Sequence, residues 1–476
     1  MRKANPCAAT LPLLLAACAV GPDYRPPAIP TASAGGNFVS APSGTDSHPA
    51  QDRWWRLYDD PALDRLVGQA FAANTDLRVA AANLARAQAV LREAAAGRLP
   101  STSLGGGISH GNVVPGQGGG GDAQWSYNAT LNVAWEVDLS GRLRRSIEAA
   151  RGDAQASEAA RDRVAVTIAA ETTRAYADAC ALAQAEAVAR RSIGIAQQGL
   201  DLTQTRKGAG AATQFDVERS ATALAEARAT LPALTGRRQI RLFELAALLG
   251  LPPAQVPEDA RRCVAPPAPV AAIPVGDGAA LLARRPDVRE AERQLAADTA
   301  RIGVASADLY PRISLGGSGG FFRNDQVKGS DSFSFFIGPL LSWSFPNMAV
   351  ARARIAQAEA QTHSSLARFD GVVLTALKEV DQALAAYAAA GQRSEALGEA
   401  VRRADSAYQL ADRRYRAGAI SFLELLDSQR QLVSNESARS EAIQTLGSAR
   451  VDLFKALGGG WQSVPMDAAS RSAPAQ

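Results

Sequence analysis

The segment Trp125 to Asp138, WSYNATLNVAWEVD, alternates without a break. Its odd positions are all apolar: Trp125, Tyr127, Ala129, Leu131, Val133, Trp135 and Val137. The even positions are Ser126, Asn128, Thr130, Asn132, Ala134, Glu136 and Asp138. Successive side chains of a strand point to opposite faces, so a period of two predicts a strand with one apolar and one polar face. Tryptophan stands towards both ends, as in lipid-facing strands with aromatic girdles. Phe333, Phe335, Ile337, Pro339, Leu341, Trp343 and Phe345 repeat the pattern against mostly serine and glycine. Each of these strands follows a shorter partner, Ser101 to His110 and Arg312 to Arg323, across a Gly-rich loop. A soluble sandwich hairpin would alternate in the same way, but a sandwich needs more than four strands.

The two strand pairs belong to a duplicated chain. Asp76 to Gly106 aligns without gaps on Asp287 to Gly317 at an offset of 211, with 13 of 31 positions identical. Further on the offset is 208, matching Trp135 with Trp343, Gly210 with Gly418 and Gly250 with Gly458. So long a period excludes a small solenoid repeat. The organisation reads as a signal segment 1–17, an extended N-terminal segment 18–60, a first repeat 61–252, a Pro-rich linker 253–274, a second repeat 275–461 and a tail 462–476. Each repeat runs helix, two strands, very long helix, glycine break, helix.

Composition narrows the function classes. Of 51 basic residues only 5 are lysine, against 47 acidic residues, so the net charge of +4 is an arginine excess spread along the chain. That dispersion argues against a nucleic-acid-binding face. Alanine makes up about a fifth of the chain, as in closely packed helices. The three histidines, His48, His110 and His363, lie far apart with no cysteine near them, so no zinc signature is present. Walker and HExxH motifs are also missing, and no enzymatic activity is expected.

The N-terminus carries Met1-Arg2-Lys3, a short apolar stretch, then Leu15-Ala16-Ala17-Cys18, the form of a secretory signal. Cysteine after Leu-Ala-Ala resembles a bacterial lipobox, in which the thiol receives diacylglycerol and the new N-terminus an acyl chain. Ala19, rather than aspartate, follows it, which implies the outer membrane. Cys180 and Cys263 then remain and read as buried or inert thiols. After residue 20 no run of 18 uncharged apolar residues occurs, so any membrane crossing must use strands closed into a barrel.

No proline interrupts Leu143 to Lys207, which predicts a helix of about 97 Å. On the later long helix Leu366, Phe369, Val373, Leu377, Val380, Leu384 and Tyr387 recur every 3.5 residues on average, predicting left-handed supercoiling against a neighbour. Four strands cannot close a barrel, and an open edge is forbidden in lipid. Two chains would give eight strands and a barrel filled by its own side chains. Three give twelve, with twelve long helices continuing the channel. The fold class is therefore mainly helical with membrane strands: a trimeric twelve-stranded β-barrel continued by an α-barrel of long hairpins. Glycines mark where the helical hairpins reverse, at Lys207-Gly208-Ala209-Gly210-Ala211 and Arg416-Ala417-Gly418-Ala419.

Four stretches carry a resemblance: Cys18-Ala19-Val20-Gly21-Pro22-Asp23-Tyr24, Trp54-Trp55 before Tyr58-Asp59-Asp60-Pro61, Arg414-Tyr415-Arg416-Ala417-Gly418, and Ala456-Leu457-Gly458-Gly459-Gly460-Trp461. On these the chain resembles the TolC-like outer-membrane factors, in particular the lipoprotein branch serving resistance-nodulation-division multidrug pumps. The resemblance implies a homotrimeric channel in outer-membrane lipid that extends into the periplasm and docks a periplasmic adaptor of an inner-membrane pump. It places adaptor contacts at the tips, on Gly208, Gly210, Thr213, Gly418 and Ser421. It places a gate at Leu423, Glu424 and Asp427, with Tyr415 and Asp216 latching the closed state. Glu424 and Asp427 share one helix face, so three copies would present six carboxylates and attract cations. A ring of Leu423 could block water by dewetting. An exposed acidic face balanced by Arg413, Arg414 and Arg430 is the alternative. No cofactor is expected. Metal efflux, protein secretion and a non-pore coiled-coil scaffold remain as other functions.

Overall fold

The computed structural model describes residues 19–28, 38–40, 52–112, 122–269 and 273–462. Cys18, the signal segment and the tail beyond 462 lie outside the described residues. The elements run α1 (Pro61–Ala73), α2 (Thr75–Ala96), β1 (Ser101–Gly111), β2 (Gln124–Val137), α3 (Arg142–Gly208), α4 (Gln214–Leu248), α5 (Glu258–Arg262), α6 (Gly278–Arg284), α7 (Pro286–Ala307), β3 (Arg312–Arg323), β4 (Phe333–Ser342), α8 (Ala349–Arg416) and α9 (Phe422–Ala456). Helices α3 and α8 hold 67 and 68 residues, each about 100 Å of helical contour. Among the described residues no helix is long and apolar enough to cross a membrane.

The chain forms two compact units, one of Met1–Ala28, Asn83–Glu158 and Glu290–Gly371, the other of Ile29–Ala82, Ala159–Arg289 and Val372–Gln476. The first contains one antiparallel sheet in the order β1-β2-β3-β4. Asp138, at the end of the alternating stretch, caps the helix that follows: its carboxylate accepts from the backbone N–H of Leu143 and Arg144 at 3.0 and 2.9 Å, satisfying donors that the first helical turn leaves free. The duplication recurs as hydrogen bonds. Trp135 Nε1 donates to the Arg98 carbonyl at 2.9 Å, and Trp343 Nε1 donates to the Leu309 carbonyl at 3.2 Å. Gly152 of α3 faces Ala297 of α7 so closely that a Cβ there would lie 2.8 Å from the Ala297 Cβ and 2.9 Å from its backbone nitrogen.

The second unit has an aromatic and aliphatic core. Trp54 stacks on Phe454 with ring centroids 4.6 Å apart, among Leu63, Val67, Leu245, Leu249, Leu384 and Leu457, all buried. Trp55 meets Phe71 edge-on at 5.7 Å and donates its Nε1–H to Asp64 at 2.8 Å. That bond satisfies the Trp55 indole N–H, whereas the Trp54 Nε1 beside it is buried without a partner among the described residues, at a cost in free energy. Again the halves match: Asn74 Nδ2 donates to the Leu248 carbonyl at 3.0 Å, and Arg285 Nη1 to the Ala456 carbonyl at 2.8 Å. The heptad-like seam of α8 is buried at Phe369, Val373, Val380 and Leu384, whereas Leu366 is exposed.

The Pro-rich stretch between the repeats packs on the core at some of its described residues. Val256 and Ala260 are buried in the same core, and Arg65 pairs with Asp259 at 2.5 Å. The expectation of two separate thiols does not hold: Cys180 and Cys263 form a disulfide across 83 positions. Their spacing in sequence carries no hint of this, because only folding of the linker onto α3 brings their Cα atoms to 5.1 Å.

Two predictions arise from this packing. Gly152→Leu should push α3 off α7 and lower the thermal midpoint of unfolding, whereas Gly194→Leu, at a helical glycine with open space around it, should leave it nearly unchanged. Glu436 is buried, and Oε2 has no partner among the described residues. Arg191 reaches only Oε1, at 3.4 Å. Burial therefore raises the Glu436 pKa above its ordinary value. A raised carboxylate pKa means that the folded state disfavours the ionised form, a penalty present at neutral pH and lost as pH falls through the folded value. Glu436→Gln should thus raise the midpoint at pH 7 by on the order of 2 °C, and thermal scans should show the gain vanishing in acid.

Candidate functional site

Two features of the fold concern function: the faces of the sheet and the two hairpin tips. Register places the alternating apolar positions of β2 and β4 on one face. Leu104, Leu131, Gly319 and Phe335 form one row, Thr102, Val133, Gly317 and Ile337 the next, followed by Trp135, Leu315 and Pro339, and by Val137, Ile313 and Leu341. This face is uncovered: Leu104 is 81%, Phe335 87% and Ile337 82% exposed. The opposite face carries rows such as Gly105, Thr130, Gly320 and Ser334, although Phe336 and Leu340 of β4 also project there. Strands β1 and β4 each pair on one side only among the described residues, leaving two open edges. Strand β4 ends at Ser342, short of the sequence expectation, and Trp343 stacks on Phe345 at 4.7 Å just beyond it.

The tips are built identically 208 positions apart. Gly210 and Gly418 adopt φ of +73° and +74°, the left-handed conformation that a residue with a Cβ resists. At each, a backbone N–H returns to the last helical turn: Ala211 to the Arg206 carbonyl and Ala419 to the Arg414 carbonyl, both at 2.8 Å. The following helices open with capping boxes. Thr213 N–H donates to Asp216 Oδ2 at 2.9 Å while Thr213 Oγ1 accepts from Asp216 N–H at 3.1 Å; Ser421 and Glu424 repeat this at 2.7 and 3.3 Å. The donated bonds from Thr213 and Ser421 hold the Asp216 and Glu424 carboxyls below their ordinary pKa. Both residues have a local role at helix starts, the role that S/T-x-x-D/E spacing confers.

The remaining tip residues are placed as follows. Gly208 closes α3 and is exposed. Leu423 is 55% exposed, and Asp427, one turn on, is exposed beside it. The structure joins Asp216 to Thr213, and Tyr415 to other partners. Tyr415 is buried, its ring 5.9 Å from that of Phe422, and the Arg206 guanidinium lies 4.2 Å over it. Arg206 Nη1 also donates to the Tyr415 carbonyl at 3.1 Å, so the last turn of α3 holds the last turn of α8 by charge, stacking and a hydrogen bond. Sequence reasoning missed Arg206, because it sits among arginines that look alike. It also missed Phe215, 67% exposed, the counterpart of Leu423 at the 208 offset; that offset was the available signal.

An amphipathic four-stranded sheet and paired long helical hairpins recur in known proteins. Residues 66–251 and 279–459 match the family described as outer membrane efflux protein. The chain is 30% identical to Nodulation protein T of Rhizobium leguminosarum, over 98% of this chain and 95% of that protein. It is 32% identical to the pyoverdine export outer membrane protein OpmQ of Pseudomonas putida, over 96% and 97%. The solved structure of the outer-membrane channel OprN superimposes with a TM-score of 0.86 at 35% identity, covering 94% of this chain and all of that one. With both repeats matched and the sheet and hairpins in place, the chain belongs to the outer membrane efflux protein family.

Proposed function

We propose that three copies of this chain form the exit duct of a tripartite efflux system, a passive channel fed by a periplasmic adaptor and an inner-membrane pump of the resistance-nodulation-division class. The observation that carries it is the sheet, with an uncovered apolar face and two unpaired edges. In hydrocarbon every backbone N–H and C=O needs a protein partner. Three copies of a four-stranded sheet pair β4 of one with β1 of the next and close a barrel of twelve strands, with the serine, glycine and threonine face inside. Cys18 carries the lipid. Val20 N–H donates to the Ser140 carbonyl at 3.1 Å, and Arg145 to Asp23 at 2.7 Å, which holds the segment following Cys18 beside the end of β2.

At the tips, three copies of Leu423, Glu424 and Asp427 line the constriction. Arg206 of the first hairpin, on the ring and the carbonyl of Tyr415, holds the two hairpins in the closed packing, with Asp216 fixed in its cap beside them. Gly208, Gly210, Thr213, Gly418 and Ser421 meet the adaptor. Opening repacks the inner hairpins, a two-state change that adaptor binding biases.

Protein extracted from outer membranes should run as a heat-resistant trimer on gels and conduct ions in planar bilayers; a non-conducting monomer would sink the reading. Ile337→Lys, on the apolar face, should cost about 2–4 kcal/mol of membrane insertion and deplete the trimer. Ser318→Lys, on the opposite face, should insert normally and shift the reversal potential towards anion selectivity. Asp427→Ala combined with Arg206→Ala should raise single-channel conductance severalfold. Unchanged conductance would remove the gate and leave the channel.

A further inference from the structure

The disulfide is placed so that it distinguishes the two hairpins. Its 83-position span contains the end of α3, the first tip, all of α4 and α5. Cys180 is fully buried in the core cluster with Leu242 and Ala246 of α4 and with Val256 and Ala260 of the linker. Arg238 of α4 donates to the Arg261 carbonyl at 2.6 Å, and Arg241 pairs with Asp178 at 3.2 Å across the hairpin. These contacts put the bond at the root of the hairpin, where the chain leaving α4 is tied back to α3. In the second repeat Ala388 stands where Cys180 does, and no cysteine follows Cys263 in the sequence. Only the first hairpin can be closed covalently.

We infer that Cys180 and Cys263 are joined by a dithiol–disulfide exchange oxidant before residues 253–263 pack onto α3, and that the bond clamps the root of the first hairpin, whereas the root of the second is held by packing alone. The order follows from access. An exchange reaction needs a thiolate in line with the sulfur that it attacks, and Cys180 has no exposed surface once Val256 and Ala260 are docked. One cysteine thiolate attacks the oxidant's disulfide, which breaks, leaving a mixed disulfide and one oxidant thiolate. The second cysteine thiolate attacks the protein sulfur of that mixed disulfide and expels the other oxidant thiolate. Two protein thiols lose two protons and two electrons, and the oxidant becomes a dithiol. Closing a loop of this length removes most open conformations of the hairpin, making its opening rarer by on the order of a hundredfold.

The test uses full-length protein extracted from outer membranes in detergent. Iodoacetamide labelling under denaturing conditions, followed by peptide mass mapping, should modify Cys180 and Cys263 only after prior reduction. Modification without reduction overturns the proposal. Hydrogen exchange read by mass spectrometry should show α4 peptides of the Cys180→Ser, Cys263→Ser double variant exchanging at least about tenfold faster than in the parent, with α9 peptides unaltered. Equal acceleration in both helices, or none in α4, overturns the clamp at the root of the first hairpin. Should the double variant fail to assemble, Cys263→Ser alone, which keeps the buried Cys180, provides the same comparison. None of these readouts depends on conductance, so a failed gate and a failed staple give different results.

Discussion

The constraint on which the rest depends is the unpaired edge of an amphipathic sheet. A strand edge presents a row of N–H and C=O groups that water can satisfy and hydrocarbon cannot. This chain combines two such edges with a face bearing Leu104, Leu131, Ile337 and Leu341 in open exposure. The open edges are intolerable for a lone chain in lipid, and the apolar face is costly in water. Closure with further copies inside a membrane pairs the edges, and lipid covers the apolar face. The polar rows then become the wall of a lumen.

Duplication supplies the second theme. Each repeat builds the same local devices with different residues. Asn74 and Arg285 reach the same carbonyl position by an amide and by a guanidinium. Threonine and aspartate cap one tip helix where serine and glutamate cap the other. Backbone geometry survived where side chains diverged, because the left-handed glycines at 210 and 418 and the capping boxes satisfy orphan backbone groups that any helix end must satisfy. The halves part ways at the covalent level, since one root carries a disulfide and the other an alanine. They part also at Arg206, which reaches from the first hairpin to Tyr415 of the second.

The strands, the long helices and the duplication were legible in the sequence because they rest on periodicity. Strict alternation leaves WSYNATLNVAWEVD no choice but a two-faced strand, and a proline-free run of more than sixty residues leaves little but helix. The tips were legible because glycine marks positive φ. Residues whose importance depends on meeting a distant partner were not. Glu424 and Asp216, expected at the gate, also cap the helix starts at the tips. Leu366 lies on the predicted seam but is exposed, since the heptad pattern says which face is apolar and not how far the neighbour extends.

The sequence by itself determined which segments are strand, helix and turn, which strand face is apolar, and that the chain is two halves of one plan, because each of these is set by side-chain period and backbone preference within a few residues. Tertiary structure alone decided that the proline-rich segment packs, that Cys180 meets Cys263, and that Arg206 of all the arginines stacks on Tyr415. Those pairings join positions from 83 to 209 residues apart, and no local rule reaches that far: they exist only once burial of the core has chosen which surfaces touch.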